Sequence, residues 1–439
     1  MLLSVPEALA RLLAVPCRLG VETAPLEKAA GRILAEPLHA PRPLPHFDRA
    51  AMDGYALRSA ETAGAGPGRA VRLRVAVTSR AGEPAPRGLA PGEAARIFTG
   101  AALPPGADAV IRQEEVARDP EGFLLVEEPV EVGRNVDPAG CEAAAGQLLL
   151  PAGSLLGAPE VALAASLGLT RLPVRERPRL AVLSTGAELV EPGQPLAPGM
   201  IYSSNRFALA AIAAEWGAQV AWTGSVDDDA GAIAEAVRAQ AGRFHLLVTS
   251  GGASVGDYDC VAAALDRLGA EILFHGVALK PGTPALAARL GDALVLGLPG
   301  TPGAAYTVFR VLAVPLLQHW LGVAGGGPRP GEGEDAASAA TPGDGWTAVL
   351  ESPPPSASPR LEQYLAASLR RQQGRLYARP LRRGHANSLL AWLGADALAR
   401  IPAGPLPPAG SAVEVLPLHP WRLASAPEGT PPGLDRKEG

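Results

Sequence analysis

The 439 residues are too many for one ordinary hydrophobic core, and length alone gives a prior of about three domains. Apolar residues at 47% and charged residues at 19% suffice to bury real cores, while 51 Gly and 45 Pro stay just below the level of a disordered chain. A net charge of −5 and the lack of any long Lys or Arg run exclude a surface that tracks a phosphate backbone, so no nucleic-acid partner is expected. Cys17, Cys141 and Cys260 are isolated and form no C-x-x-C, which argues against a disulfide framework or a thiolate zinc site. The first residues lack a basic stretch before a clean apolar core, and nowhere do about 18 apolar residues run uninterrupted. A soluble, unprocessed, cytoplasmic chain without a membrane partner is the expectation.

Ser4 and Glu7 make a capping box with Pro6 inside it, opening a helix that carries Leu9, Leu12 and Leu13. Pro25 to Leu34 reads as a second helical piece, broken by four prolines between Pro37 and Pro45. The loop His46 to Tyr55 follows and is a candidate site. Valine and leucine then alternate with Arg72, Arg74 and Ala76 from Val71 to Val77, the period of a half-buried antiparallel strand. Short strands are expected at Ala94 to Phe98, Ala109 to Arg112, Phe123 to Val126 and Val130 to Val132, making a small β domain. A helix returns between Pro159 and Leu167.

From Arg179 the rhythm is strand (Leu180 to Ser184), helix (Asn205 to Trp216), strand (Gln219 to Gly224), helix (Asp229 to Gln240) and strand (His245 to Ser250). Alternation of this kind predicts a parallel, doubly wound α/β domain with its ligand crevice at the carboxyl ends of the strands. Residues 322 to 345 have the composition of a linker, Trp346 to Leu416 that of a small β module, and the tail from Ala424 that of a disordered end. The expected division is a discontinuous linker domain (1–45 and 140–177), a β-rich domain (46–139), the α/β domain (178–321), a linker (322–345), a C-terminal β-barrel-like domain (346–420) and a tail (421–439).

The chain is organised around Leu246 to Gly256, LLVTSGGASVG, which runs into Asp257. Its apolar run stops at Ser250, Gly251 and Gly252, and glycines there let a ligand approach the backbone. A lone Gly-Gly is more simply a plain strand-to-helix turn; its surroundings shift the balance. Ser184, Thr185, Gly186 and Glu188 end one strand, and Asp227, Asp228 and Asp229 follow another, so several carboxylates converge on one rim. Such oxygen ligands suit Mg²⁺, with Glu188 and Asp228 as the candidate ligands, although Asp228 or Asp229 could simply cap the next helix. Lys280 lies between an apolar strand and two prolines, and Gly297 to Gly303 forms a second rigid turn, in which Pro299, Gly300 and Pro302 fall. No Walker lysine occurs.

Seven motifs stand in one order: AAMDGYAL (Ala50 to Leu57), IFTGAALPPGADAVIRQEEV (Ile97 to Val116), the Asn135 to Ala152 stretch, LSTGAELVEPGQ (Leu183 to Gln194), SGGASVGDYD, LKPGTP and GLPGTP. From about Pro6 to Leu416 the chain resembles the molybdopterin molybdenumtransferases, including the homologous domain of gephyrin. The resemblance implies insertion of molybdenum from molybdate into adenylylated molybdopterin with Mg²⁺ and release of AMP. It implies Asp53, Thr99, Glu188, Asp228, Asp257 and Lys280 as activity residues, and Glu142, Ser184, Thr185, Gly186, Ser250, Gly251, Gly252, Ser254, Gly256, Pro299, Gly300, Pro302, Arg360 and Ser388 as substrate contacts. It further implies a homodimer in which Asp53 and Thr99 serve the partner's crevice, and the molybdopterin adenylyltransferase as a possible partner.

The chain departs from the family pattern at Arg49 and Ala50, where Asn-Ser is common, and at Gly140-Cys141-Glu142, Ala187, Gly276, Thr283 and Thr301. Two lysines of the pattern are thereby lost, which favours a relative that binds the pterin nucleotide without insertion. Glu188, Asp228 and Lys280 favour the active enzyme. An adenylyltransferase shares the α/β domain but lacks the extra β domains, and a scaffold would need a long interaction segment that the chain does not have.

Overall fold

A computed structural model describes residues 2–252, 260–323, 346–356, 358–381 and 389–419. The expected linker, apart from Gly322 and Val323, and the expected tail lie outside them. The chain divides into two compact units, one of Met1–Ala35, Gly153–Leu156 and Pro173–Gly439, the other of Glu36–Ala152 and Gly157–Leu172. Among the described residues no helix is long and apolar enough to cross a membrane.

In the first unit the capping box forms as expected: the Ser4 N–H donates to Glu7 Oε2 at 2.8 Å and the Glu7 N–H to Ser4 Oγ at 3.4 Å. The helix Val5–Leu13 that follows buries Val5, Ala8 and Leu12 in the main core. Pro25 to Leu34 is not the expected helix; the chain makes a strand Val21–Pro25 and a single 3₁₀ turn Leu26–Lys28. Gly31, at φ 75°, turns the backbone into the left-handed region before a second helical turn can close.

The six strands of the α/β sheet run in the order Gln219–Val226, Arg179–Thr185, Leu246–Ser250, Ala293–Leu298, Leu286–Leu290, Glu271–His275. The first four are parallel, and the last two add an antiparallel edge that the repeating strand-helix rhythm does not reveal. Its cause is local: Leu290 faces Ala293 across Gly291 and Asp292, and two residues can reverse a chain but cannot carry a crossover helix.

Side chains alternate across this sheet. Leu180 and Val182 enter one core with Leu209 and Ala213 of helix Asn205–Glu215, while Ala181 and Leu183 enter the other with Ile233, Val237 and Val261. With both faces covered, the central parallel strands carry continuous apolar runs, Leu180–Leu183, Leu246–Val248 and Leu294–Leu296, and their ends are open to a ligand. A π-turn, Phe309–Ala313, joins helix Pro302–Val308 to helix Val314–Leu321. Pro315 has no N–H and its ring would strike the carbonyl of residue 311 in a regular α-helix, so the widened turn keeps the chain helical through it.

Five C-terminal strands close into a barrel. Glu362–Gln372 pairs with Arg375–Pro380 on one side and Ala397–Ile401 on the other, and Trp346–Leu350 with Ala412–Pro417 completes the ring. Five strands enclose little volume, so alanines fill it: Ala348, Ala367, Ala378, Ala397 and Ala399 are all buried.

The second unit is built on a six-stranded sheet in the order Ala109–Arg112, Gly54–Leu57, Glu93–Ile97, Val71–Ser79, Phe123–Val126, Ala117–Arg118. Val71–Ser79 is mixed rather than purely antiparallel, running parallel to Glu93–Ile97. Val130 to Val132 is not a strand, because the Val130 N–H donates to Thr62 Oγ1 at 2.8 Å instead of to a neighbouring ladder. The helix expected at Pro159 is Ala158–Ser166.

A buried carboxylate ties this sheet to its loop. Arg87 donates twice to Glu93, at 2.6 and 3.0 Å, the Ala90 N–H donates at 3.1 Å, and Arg74 adds a further ion pair. The Arg87 hydrogen bonds, followed by that of Ala90, hold the Glu93 carboxyl down to about 2. A depressed folded-state value stabilises the fold above the ordinary carboxylate range and loses that contribution as pH falls toward 2. Urea midpoints are therefore expected to favour the parent over Glu93→Gln at pH 7 and to converge between pH 4.5 and pH 2; an unchanged gap at pH 3 would contradict the assignment.

Candidate functional site

Ser184, Ser225, Ser250 and Leu298 stand in one row across the four parallel strands, so the residues after them leave the sheet together at its carboxyl end. There a cleft of about 630 Å³ opens, lined by Ser184, Thr185, Glu188, Asp228, Ser250, Gly251, Gly252, Gly300 and Pro302 together with Tyr202 to Asn205 and Thr301. Of the acids expected on this rim, Glu188 and Asp228 line the cleft, and Asp227 and Asp229 do not. Gly186 is buried directly beneath Glu188, and Pro299 is buried behind the turn, its carbonyl accepting from Ser250 Oγ at 3.5 Å.

The floor is built by close backbone contact. Gly251 has φ 100°, and a Cβ there would lie 2.2 Å from the Thr185 carbonyl oxygen. No other residue fits against Thr185 in this way. Ser184 and Thr185, 1% and 3% exposed, have hydroxyls without a hydrogen-bond partner in the protein. Above them the carboxylates of Glu188 and Asp228 are exposed. Buried unpaired hydroxyls beneath two solvated acids form a polar receptor rather than a packed core.

Asp229 has a different task. Its side chain accepts from the Ala232 N–H at 2.8 Å and caps helix Ala230–Ala239. Asp229→Ala should lower stability by about 1 kcal/mol in thermal or urea unfolding and leave ligand affinity in the cleft within about twofold, the scale of an exposed surface change; a tenfold affinity loss would place Asp229 in the site.

Among the described residues no three His, Cys, Asp or Glu side chains come together as a metal cage. Glu188 and Asp228 alone suit Mg²⁺, which binds through one or two carboxylates and takes its remaining oxygens from water and phosphate.

Lys280 is exposed and lies outside the lining of this cleft. The strand Leu279–Lys280 pairs with Glu362 and Gln363 of the barrel, so Lys280 stands opposite Gln363, and exposed Arg360 lies three residues before that partner. Thr283 donates its hydroxyl to the Leu279 carbonyl at 2.9 Å, so that position is tied to backbone. Ser254, Gly256, Asp257 and Ser388 lie outside the described residues.

In the second unit Thr99 donates its N–H and its hydroxyl to Asp53 Oδ1, both at 2.8 Å, which holds the Asp53 carboxyl below its usual range. Phe47 and Met52, on the same loop, are exposed. Glu142 accepts from Arg49 at 2.8 Å, and Arg49 also reaches Asp137 at 3.1 Å. Two departures from the family pattern, 93 residues apart, are therefore one ion pair.

Asn205 escaped sequence reasoning as a site residue. It is 9% exposed, lines the cleft, and its Nδ2 donates to Ser250 Oγ at 2.8 Å and to the Gly300 carbonyl at 2.7 Å. The available signal was the polar run Ser203-Ser204-Asn205 at the opening of the helix that follows the first strand end of the α/β domain.

Three family models match in chain order: the MoeA N-terminal region (domain I and II) over residues 3–168, a probable molybdopterin binding domain over 181–319, and the MoeA C-terminal region (domain IV) over 347–418. A molybdopterin molybdenumtransferase of Bacillus subtilis is 33% identical over 382 residues, spanning 86% of this chain and 85% of that protein. One of Nostoc sp. is 38% identical over 308 residues, 70% of each. The crystal structure of a molybdopterin biosynthesis MoeA protein from Pyrococcus horikoshii is 34% identical, with a TM-score of 0.78 over 96% of this chain and 100% of that one.

Proposed function

Because the chain belongs to the molybdopterin molybdenumtransferase family, we propose that it inserts molybdenum from molybdate into adenylylated molybdopterin and releases AMP. The observation that carries this reading is the cleft itself: exposed Glu188 and Asp228 over the buried, unpartnered hydroxyls of Ser184 and Thr185 and the Gly251 turn. Ser184, Thr185 and the backbone at Gly251 and Gly252 seat the nucleotide, and their fixed positions hold the phosphoanhydride against the two acids. Glu188 and Asp228 would hold Mg²⁺, which when bound supplies positive charge against the phosphate oxygens. Lys280, opposite Gln363 of the barrel, and exposed Arg360, three residues earlier in the barrel segment, supply cations for the molybdate dianion.

The protein acts in the cytoplasm as a homodimer and takes its substrate from the molybdopterin adenylyltransferase. Exposed Phe47 and Met52 beside the Asp53–Thr99 pair support a partner-facing role for that loop. The loss of a cation at Thr283, whose hydroxyl is engaged with backbone, supports a second reading in which the nucleotide is held without insertion.

Purified protein given adenylylated molybdopterin, molybdate and Mg²⁺ should release AMP in step with metal incorporation. Tight nucleotide binding with no AMP above a blank would establish the second reading. Conversion of ATP and free molybdopterin to the adenylate would replace both.

A further inference from the structure

Asn205 carries a chemical constraint that reaches beyond the cleft's general character. The Gly300 carbonyl can only accept a hydrogen bond, so the Asn205 atom 2.7 Å from it must be the amide nitrogen, and this fixes the orientation of the side chain. Both amide hydrogens are then engaged, one by Gly300 and one by Ser250 Oγ. Oδ1 is left as a buried acceptor with no partner in the protein. Glu188 and Asp228 also accept, yet they are solvated and suited to a cation; Asn205 Oδ1 is neutral and shielded from water.

A buried acceptor without a partner is costly, and an anionic oxygen placed against it would be repelled. We propose that Asn205 is a specificity-determining residue that reads a hydrogen-bond donor, the exocyclic amino group of a nitrogen heterocycle, on the ligand that fills this cleft. The inference rests on the reaction proposed above, whose substrate carries two such heterocycles, an adenine and a pterin. Ser184 stands beside Ser250 in register, so its unpartnered hydroxyl, which can donate or accept, flanks the same position. Acceptor and hydroxyl together complement a heterocycle edge that presents an amino group next to a ring nitrogen.

The test compares ligands that differ at one amino position within each protein variant, so any loosening of the turn affects both ligands alike. AMP is set against inosine 5′-monophosphate, and pterin against lumazine; each pair exchanges an amino donor for a carbonyl acceptor and turns the adjacent ring nitrogen from an acceptor into an N–H donor. The parent protein should prefer the amino ligand of one pair by about tenfold or more, since a site built to bond a donor rejects its analogue strongly. In Asn205→Ala that preference should fall below about twofold. Equal affinity within both pairs, or a preference that survives in Asn205→Ala, overturns the assignment while AMP release from adenylylated molybdopterin leaves the enzyme reading in place. Absence of binding by AMP and pterin together with absence of AMP release overturns both.

Discussion

Glu188→Ala is expected to reduce AMP release about a hundredfold or more, because a metal-held phosphate contact contributes several kcal/mol to the barrier. Stability should stay within about 0.5 kcal/mol, the range of exposed substitutions away from a core. Glu188 is exposed, and among the described residues its carboxylate makes no ion pair, so nothing in the fold depends on it. Glu188→Gln keeps the shape without the charge and should be nearly as inactive. A titration of Mg²⁺ separates charge from packing: if either variant regains parental rates at high Mg²⁺, Glu188 supplies affinity for the ion; if both turn over normally at low Mg²⁺, Glu188 is not a ligand at all.

Gly251→Ala should be the most damaging single methyl group in the α/β domain. The added Cβ would sit 2.2 Å from the Thr185 carbonyl oxygen, and φ 100° is itself unfavourable for an L side chain. A stability loss of about 2 to 4 kcal/mol is expected from urea unfolding, with nucleotide binding abolished because the turn cannot remain on Thr185. Gly199→Ala is the control: φ is 84° and nothing lies within 4 Å of the added carbon, so its cost should be about 1 kcal/mol with binding retained. Similar losses at both positions would show that backbone strain alone, rather than the contact with Thr185, sets the effect.

The rim of the cleft was legible because strand ends are legible. Apolar runs stopping at Ser184, Ser250 and Leu298 mark where both faces of a covered sheet cease, and the acids after them have nowhere to be buried. What failed was whatever depended on partners distant in sequence. The pairing of Lys280 with Gln363 is set by strand register across 83 residues, so nothing around Lys280 indicates that it sits on a barrel edge and outside the cleft lining. Arg49 and Glu142 looked like two unrelated departures and are bonded to each other. The antiparallel edge has a different origin: Gly291-Asp292 is a two-residue hairpin signal that lies inside a strand-helix rhythm, and the rhythm masks it. Asn205 was hidden because a polar residue opening a helix is ordinarily a cap, and only the structure shows it facing Ser250 and Gly300.

The barrel's lining of alanine sets where the C-terminal module can evolve. Ala367, Ala378, Ala397 and Ala399 are packed against Leu350, Leu369, Ile401, Val413 and Val415 in one filled core, so a larger residue at any of them would overpack it and push a strand outward. Change in this module should therefore fall on its outer skin, at exposed positions such as Arg370 and Arg375. Relatives should differ there freely and keep the same narrow bore, which makes the exterior of the barrel the surface on which new contacts can be acquired without disturbing how the chain folds.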